Sequence, residues 1–129
     1  RYARRADLDG LVKALEDRIL NRKKLAKSEI KITVDHGRPA FAADAAGKQM
    51  VEKAIAIYKE VGGELGVVPT SGGGTDAAYA ALGGKPVIES LGLPGFGYHS
   101  NQAEYVLIDA IPRRLYLAGR MIMDLAQGK

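Results

Sequence analysis

His99 stands in the stretch LGLPGFGYHSNQAEYV, Leu91 to Val106, between a backbone loosened by glycine and the strand-like EYVLI. An imidazole there can act as a general acid or base, ligate a metal, or make ordinary loop hydrogen bonds. No nucleophile motif such as G-x-S-x-G accompanies it. For a metal the arithmetic is restrictive. Catalytic zinc usually takes about three protein ligands, mostly His and carboxylate. The chain holds two histidines, no cysteine, and no HxxxH or HxH pair. If His99 binds a metal, most of its fellow ligands lie outside this sequence. The second histidine, His36, follows a charged strand end and reads as a surface residue.

A second place is Ser71-Gly72-Gly73-Gly74-Thr75-Asp76, after one apolar segment and before a short helical one. Glycines let backbone N–H groups converge on an anion, and a helix N-terminus adds a favourable dipole. A carboxylate, phosphate or oxyanion fits such a loop. It is not a Walker loop, since no Gly-Lys-Ser/Thr follows, nor a GxGxxG turn. The alternative is a tight strand-to-helix turn capped by Thr75 or Asp76, and spacing alone leaves both open. Arg38, between Gly37 and Pro39, is a guanidinium on a rigid turn, suited to gripping a carboxylate or to tying two domains by a salt bridge. Asp76 and Glu89 form no recognisable acid–base pair. They are candidates for orienting loops by hydrogen bonds.

These side chains must be held by elements that the pattern locates. The chain has 129 residues, 47% hydrophobic, enough for one modest domain or pieces of two. No run approaches the roughly 20 apolar residues of a membrane span. The formal charge of +4 is concentrated early, at Arg1, Arg4, Arg5, Arg18, Arg22, Lys23, Lys24 and Lys27. Asp7, Asp9, Glu16 and Asp17 are interleaved, and no aromatic run accompanies the basic residues. That pattern reads as a solvated helix face and not as a nucleic-acid surface.

Leu8, Leu11, Val12, Leu15 and Ile19 make one helical stripe from Leu8 to Arg22, with Asp7 as its N-cap. Glu29 to Val34 alternates as a half-buried strand. A boundary falls at Gly37. Ala46 to Val61 is a helix with Val51, Ala54, Ile55 and Tyr58 inward, stopped by Gly62-Gly63. Leu65 to Val68, Val87 to Ser90 and Tyr105 to Ile108 read as strands. Pro112 opens a last helix with Leu115, Ala118, Ile122 and Leu125 inward. Strand–helix alternation implies an α/β layer with some parallel pairing.

The string GGGTDAAYAALGGKPVIESLGLPGFGYHSNQAEYVLIDAIPRRLYLAGRMIMDL resembles the C-terminal end of the zinc exopeptidases, the family of aminoacylase, acetylornithine deacetylase, succinyl-diaminopimelate desuccinylase and glutamate carboxypeptidase. RYARR and GRPAF resemble the same family's glutamate carboxypeptidases of the carboxypeptidase G type, so the likeness covers nearly the whole chain. It implies an α/β fold: residues 1–36 as the final strand, helix and strand of a ferredoxin-like α+β lid or dimerisation domain, and residues 37–129 as the C-terminal part of a mixed-sheet catalytic domain. By resemblance His99 is a ligand to one of two zinc ions. Arg38 grips the substrate's free carboxylate, Gly72, Gly73 and Gly74 face it, and Ser71 stands where the relative has a substrate-contacting Thr. Arg1 matches a lid arginine that faces the active site. The remaining zinc ligands, the bridging Asp, the general-base Glu and the lid's oxyanion histidine match nothing here, so this chain carries no catalytic acid or base of its own.

The expected function is zinc-dependent hydrolysis of amide bonds that releases a C-terminal glutamate, from folate-like or N-acyl glutamate substrates. This chain would be an incomplete part of a homodimeric enzyme, with the rest of the polypeptide as partner. It opens on RYARR without Met or a signal sequence, as one part of a larger polypeptide would. The resemblance points to a periplasmic or secreted enzyme, with the cytoplasm as the alternative. A rival class is a non-catalytic binding or assembly module that keeps the fold without the dimetal site. A third, an anion- or nucleotide-binding domain, rests on the glycine loop alone.

Overall fold

A computed structural model describes residues 5–20, 27–35, 37–68 and 71–128. Its elements run α1 (Arg5–Leu20), α2 (Ala45–Glu60), α3 (Ala77–Ala81), β1 (Gly95–Phe96), β2 (Tyr105–Val106), a 3₁₀ turn (Ile108–Ala110) and α4 (Ile111–Ala126). They fall into two compact units. One takes the described residues of Arg1–Ala42 and Gly72–Lys85, the other those of Ala43–Ser71 and Pro86–Lys129.

The first unit contains α1, the turn that carries Arg38, the triple-glycine loop and α3. α1 begins at Arg5, so Asp7 lies inside its first turn. It does not stand before the helix as its cap, yet its carboxylate still complements the N-terminal dipole. Of the predicted stripe, Leu8 and Val12 are half-buried, while Leu11 and Leu15 are exposed. The segment 29–34 keeps its alternation, Ile32 and Val34 half-buried between exposed Lys31 and Thr33. No ladder partner makes it a strand among the described residues. Ala78 is this unit's buried apolar residue.

The second unit is built on the pair α2 and α4. Asp44 starts α2: its Oδ1 accepts from the Gly47 N–H at 2.7 Å, satisfying one of the helix's orphan donors. The helix ends in a Schellman arrangement. Gly62, at φ +69°, donates to the Lys59 carbonyl at 3.0 Å, and Gly63 donates to the Tyr58 carbonyl at 3.1 Å. Ala54, Ile57 and Tyr58 of α2 pack on Leu117 and Met121 of α4, with Met50, Val61, Leu65, Ile88 and Leu91 against them. Leu117 is 0% exposed.

Pro112 sits in the first turn of α4, where its missing N–H costs nothing. The buried face of α4 differs from the one its spacing predicts. Leu117 and Met121 are inside and Ala118 is half-buried, while Leu115 and Ile122 are each 68% exposed. The sequence IPRRLYLAGRMIMDLA carries apolar residues on more than one side, so periodicity leaves two stripes to choose between. The partner decides. Glu60 Oε2 of α2 accepts from Tyr116 Oη at 2.6 Å and from Arg120 Nη1 at 2.9 Å. The Arg114 guanidinium lies 4.9 Å from the centre of the Tyr58 ring, within cation–π range. Together they set the rotation of α4 against α2.

Only β1 and β2 pair as strands among the described residues. They are antiparallel, with Gly95 opposite Val106 and Phe96 opposite Tyr105. The predicted strands Leu65–Val68 and Val87–Ser90 take no ladder, and Tyr105–Ile108 is a strand only as far as Val106 before the 3₁₀ turn. The parallel pairing expected from the sequence is therefore absent among the described residues. What stands is a helical assembly with one small antiparallel sheet. No described helix is long and apolar enough to cross a membrane.

Candidate functional site

In the first unit the chain turns at Gly37, φ +52°, whose N–H donates to Asp35 Oδ1 at 2.9 Å. This Asx turn delivers Arg38 to the glycine loop. Arg38 Nε donates to Asp76 Oδ1 at 2.8 Å. Asp76 precedes α3 but does not cap it with its side chain. Thr75 does the local work instead, its Oγ1 accepting from the Ala77 N–H at 3.1 Å. The Asp76 carboxylate is thereby committed to orienting the guanidinium.

Gly74 closes the arrangement. A Cβ there would lie 3.4 Å from Arg38 Cδ and 3.6 Å from Nη1, so the arginine stem lies along the loop backbone. The guanidinium pKa is raised above its ordinary value, first by the hydrogen bond to Asp76 and then by the charge of that carboxylate. The side chains of Arg38 and Asp76 are both exposed, at 53% and 84%. α3 has only five residues, so its dipole is weak. The cation at this loop is Arg38, paired to the Asp76 carboxylate, and the helix terminus adds little.

In the second unit His99 is exposed, at the turn end of the β1–β2 hairpin. Leu107 N–H donates to the Pro94 carbonyl at 2.9 Å, continuing the pairing beyond β2, and the Phe96 and Tyr105 rings are 5.5 Å apart at 35°. Gly97, at φ +79°, has no room for a side chain: an added Cβ would lie 2.5 Å from the Ala103 carbonyl oxygen. His99 itself has φ +55°. That is the left-handed region, which few residues other than glycine enter but which histidine populates more than most.

The structure thus brings Arg38, Gly74 and Asp76 together in one unit. Gly72 and Gly73 share that loop and are exposed, whereas Ser71 and His99 belong to the other unit. Arg1 and His36 lie outside the described residues. Glu89 accepts from its neighbour Ser90 Oγ at 2.6 Å. Sequence reasoning missed Ser100, whose hydroxyl bonds to the backbone on both sides of the turn. A small hydroxyl residue beside His99 and three places after a glycine was the available signal.

Among the described residues a metal would find one imidazole, that of His99. No group of three or more His, Cys, Asp or Glu side chains is gathered anywhere among the described residues. By donor chemistry the exposed His99 imidazole would fit as one ligand to a metal.

Comparison with known proteins gives the geometry its context. The chain is 64% identical over all 129 residues to Carboxypeptidase G2 of Pseudomonas sp. (strain RS-16), and spans 31% of that protein's length. The sequence pattern of the peptidase family M20/M25/M40 matches residues 4–124. With nearly its whole length accounted for in this way, the chain belongs to peptidase family M20/M25/M40.

Proposed function

We propose that this chain is the C-terminal part of a zinc-dependent hydrolase that cleaves amide bonds to release a C-terminal glutamate, from folate-like or N-acyl glutamate substrates. One observation carries the reading: 64% identity, over the full chain, to a protein whose name is that of a carboxypeptidase. The packing of Arg38 along the glycine loop supports it, because a carboxylate-terminated substrate needs a fixed cation beside open backbone.

In this reading residues 37–129 belong to the catalytic domain and residues 1–36 to a ferredoxin-like lid that also dimerises the enzyme. Segments 29–34, 65–68 and 87–90 become strands when the rest of the sheet is present. Arg38 holds the substrate's α-carboxylate in a charge-assisted pair, and Asp76 holds the guanidinium plane. Gly72 to Gly74 offer backbone amides to the same carboxylate, while Ser71 and Arg1 contact the substrate. Fixing the carboxylate fixes the register, so the scissile amide is always the one next to the terminal residue. His99 would hold one of two zinc ions through a ring nitrogen. Zinc, when bound, supplies Lewis acidity that polarises a carbonyl and lowers the pKa of water. The other donors and the general base come from the remainder of the longer polypeptide.

The test uses that longer polypeptide. It should release glutamate from folate or benzoyl-glutamate and contain zinc. His99→Ala should lose about one zinc equivalent per chain. Full zinc occupancy in that variant would remove His99 from the site. The second reading is a fold-retaining module without chemistry. It prevails if the longer polypeptide neither binds zinc nor releases glutamate.

A further inference from the structure

We propose that Ser100 is a positioning residue that holds His99 in the left-handed conformation from which its imidazole is presented. The proposal rests on the reading of His99 as a metal donor, but its structural half can be tested separately.

β1 and β2 are joined by residues 97–104. Within that connection the Ser100 N–H donates to the Gly97 carbonyl at 3.2 Å, which closes Gly97–Ser100 as a β-turn with Tyr98 and His99 at its centre. His99, φ +55°, occupies the second central position. A positive φ at that position belongs to a type II turn, whose usual occupant there is Gly or Asn. Histidine has a Cβ and enters this region at a cost. Something must hold it there.

The Ser100 hydroxyl supplies the hold. It donates to the same Gly97 carbonyl at 2.9 Å and accepts from the Gln102 N–H at 3.1 Å. One side chain therefore ties the residue that opens the turn to the residue beyond it, with His99 between them. The other side of the turn is fixed sterically, by the approach of Gly97 to Ala103. Removing the hydroxyl leaves the 3.2 Å backbone bond as the one hydrogen bond closing the turn on the His99 side, against the local preference of His99 for negative φ. The imidazole then samples directions away from its ligand position. Threonine keeps the hydroxyl and should keep the turn.

The experiment uses the longer polypeptide with isotopically labelled histidine. Wild type, Ser100→Ala and Ser100→Thr are compared by the backbone three-bond coupling and the Cα shift of His99 without metal, and by zinc affinity in competition with a chromophoric chelator. In wild type and Ser100→Thr, His99 should show the positive-φ signature and bind zinc alike. Ser100→Ala should lose the signature and bind zinc about tenfold more weakly, the usual scale for losing a group that supports a metal ligand. A positive-φ signature retained in Ser100→Ala overturns the positioning role whatever the metal does. Loss of the signature with unchanged zinc affinity overturns its link to the metal. His99→Ala with full zinc occupancy overturns the ligand reading itself, and it is told apart because the metal-free signature does not depend on ligation.

Discussion

The loop that carries His99 and the loop that packs on Arg38 are both rich in glycine, yet they are held by different physics. Around His99 the restraint is local, part steric and part hydrogen-bonded. A Cβ on Gly97 would meet the Ala103 carbonyl, and a β-turn is stitched through Ser100. Around Arg38 the restraint is an exposed ion pair to Asp76, formed between residues 38 positions apart in sequence. Sterics tolerate almost no variation and ignore salt. An exposed pair is adjustable, weak in stability and screened by ions. A metal ligand needs fixed geometry, whereas a residue that receives a mobile substrate benefits from some compliance. On the proposed reading the two loops divide along those lines.

The comparison can be broken most severely through the helix pair at the centre of the second unit. Leu117→Ala, at the fully buried centre of the α2–α4 pair, should cost about 3 kcal/mol, seen as a lower urea midpoint by far-UV circular dichroism. Next comes Gly97→Ala, which adds both a strained φ and a contact with Ala103, and should cost about 2 kcal/mol. A neutral result there would mean that the turn is not sterically held.

On the other loop the effects should appear in binding. In the longer polypeptide, Arg38→Ala should raise KM for glutamyl substrates by about 10- to 100-fold with little change in the unfolding midpoint. An unchanged KM would end the carboxylate role. Asp76→Asn, which removes the charge but keeps an acceptor, should raise KM by only about two- to fivefold, and added salt should narrow the gap between it and wild type.

The smallest effect is one of pH. A raised arginine pKa, held up first by the hydrogen bond to Asp76, means that Arg38 keeps its charge beyond the ordinary arginine range, so on the alkaline side the pair's contribution is lost only as pH rises through that higher folded value. Alkaline titration to pH 10 should therefore leave the Arg38 contribution intact, as measured by KM.

Where a residue's own chemistry decides the local structure, the sequence was readable. Gly62-Gly63 ends α2, Pro112 opens α4, and the triple glycine precedes a short helix, each for reasons internal to a few residues. Where a partner decides, the sequence was ambiguous. Ile32 and Val34 report a buried side of the chain but not a neighbouring strand. The last helix offers two apolar stripes, and Glu60 and Tyr58, distant in sequence, select between them. At the site, Arg38 and the triple glycine were each singled out by residue type, whereas their contact, made through an ion pair 38 positions apart, was not. Neither was the left-handed backbone of His99, because nothing in its residue type requires it.

The close approach of Gly97 to Ala103 has a consequence for how such chains can diverge. Position 97 is closed to any residue with a Cβ unless the hairpin moves, so drift there must be preceded by a change in the 97–104 connection. Asp76 faces no such barrier: on the proposed reading the substrate keeps Arg38, while its partner can change to another acceptor that reaches the guanidinium. Homologues aligned over this region should show an unvarying glycine at position 97 and a more variable acceptor at position 76.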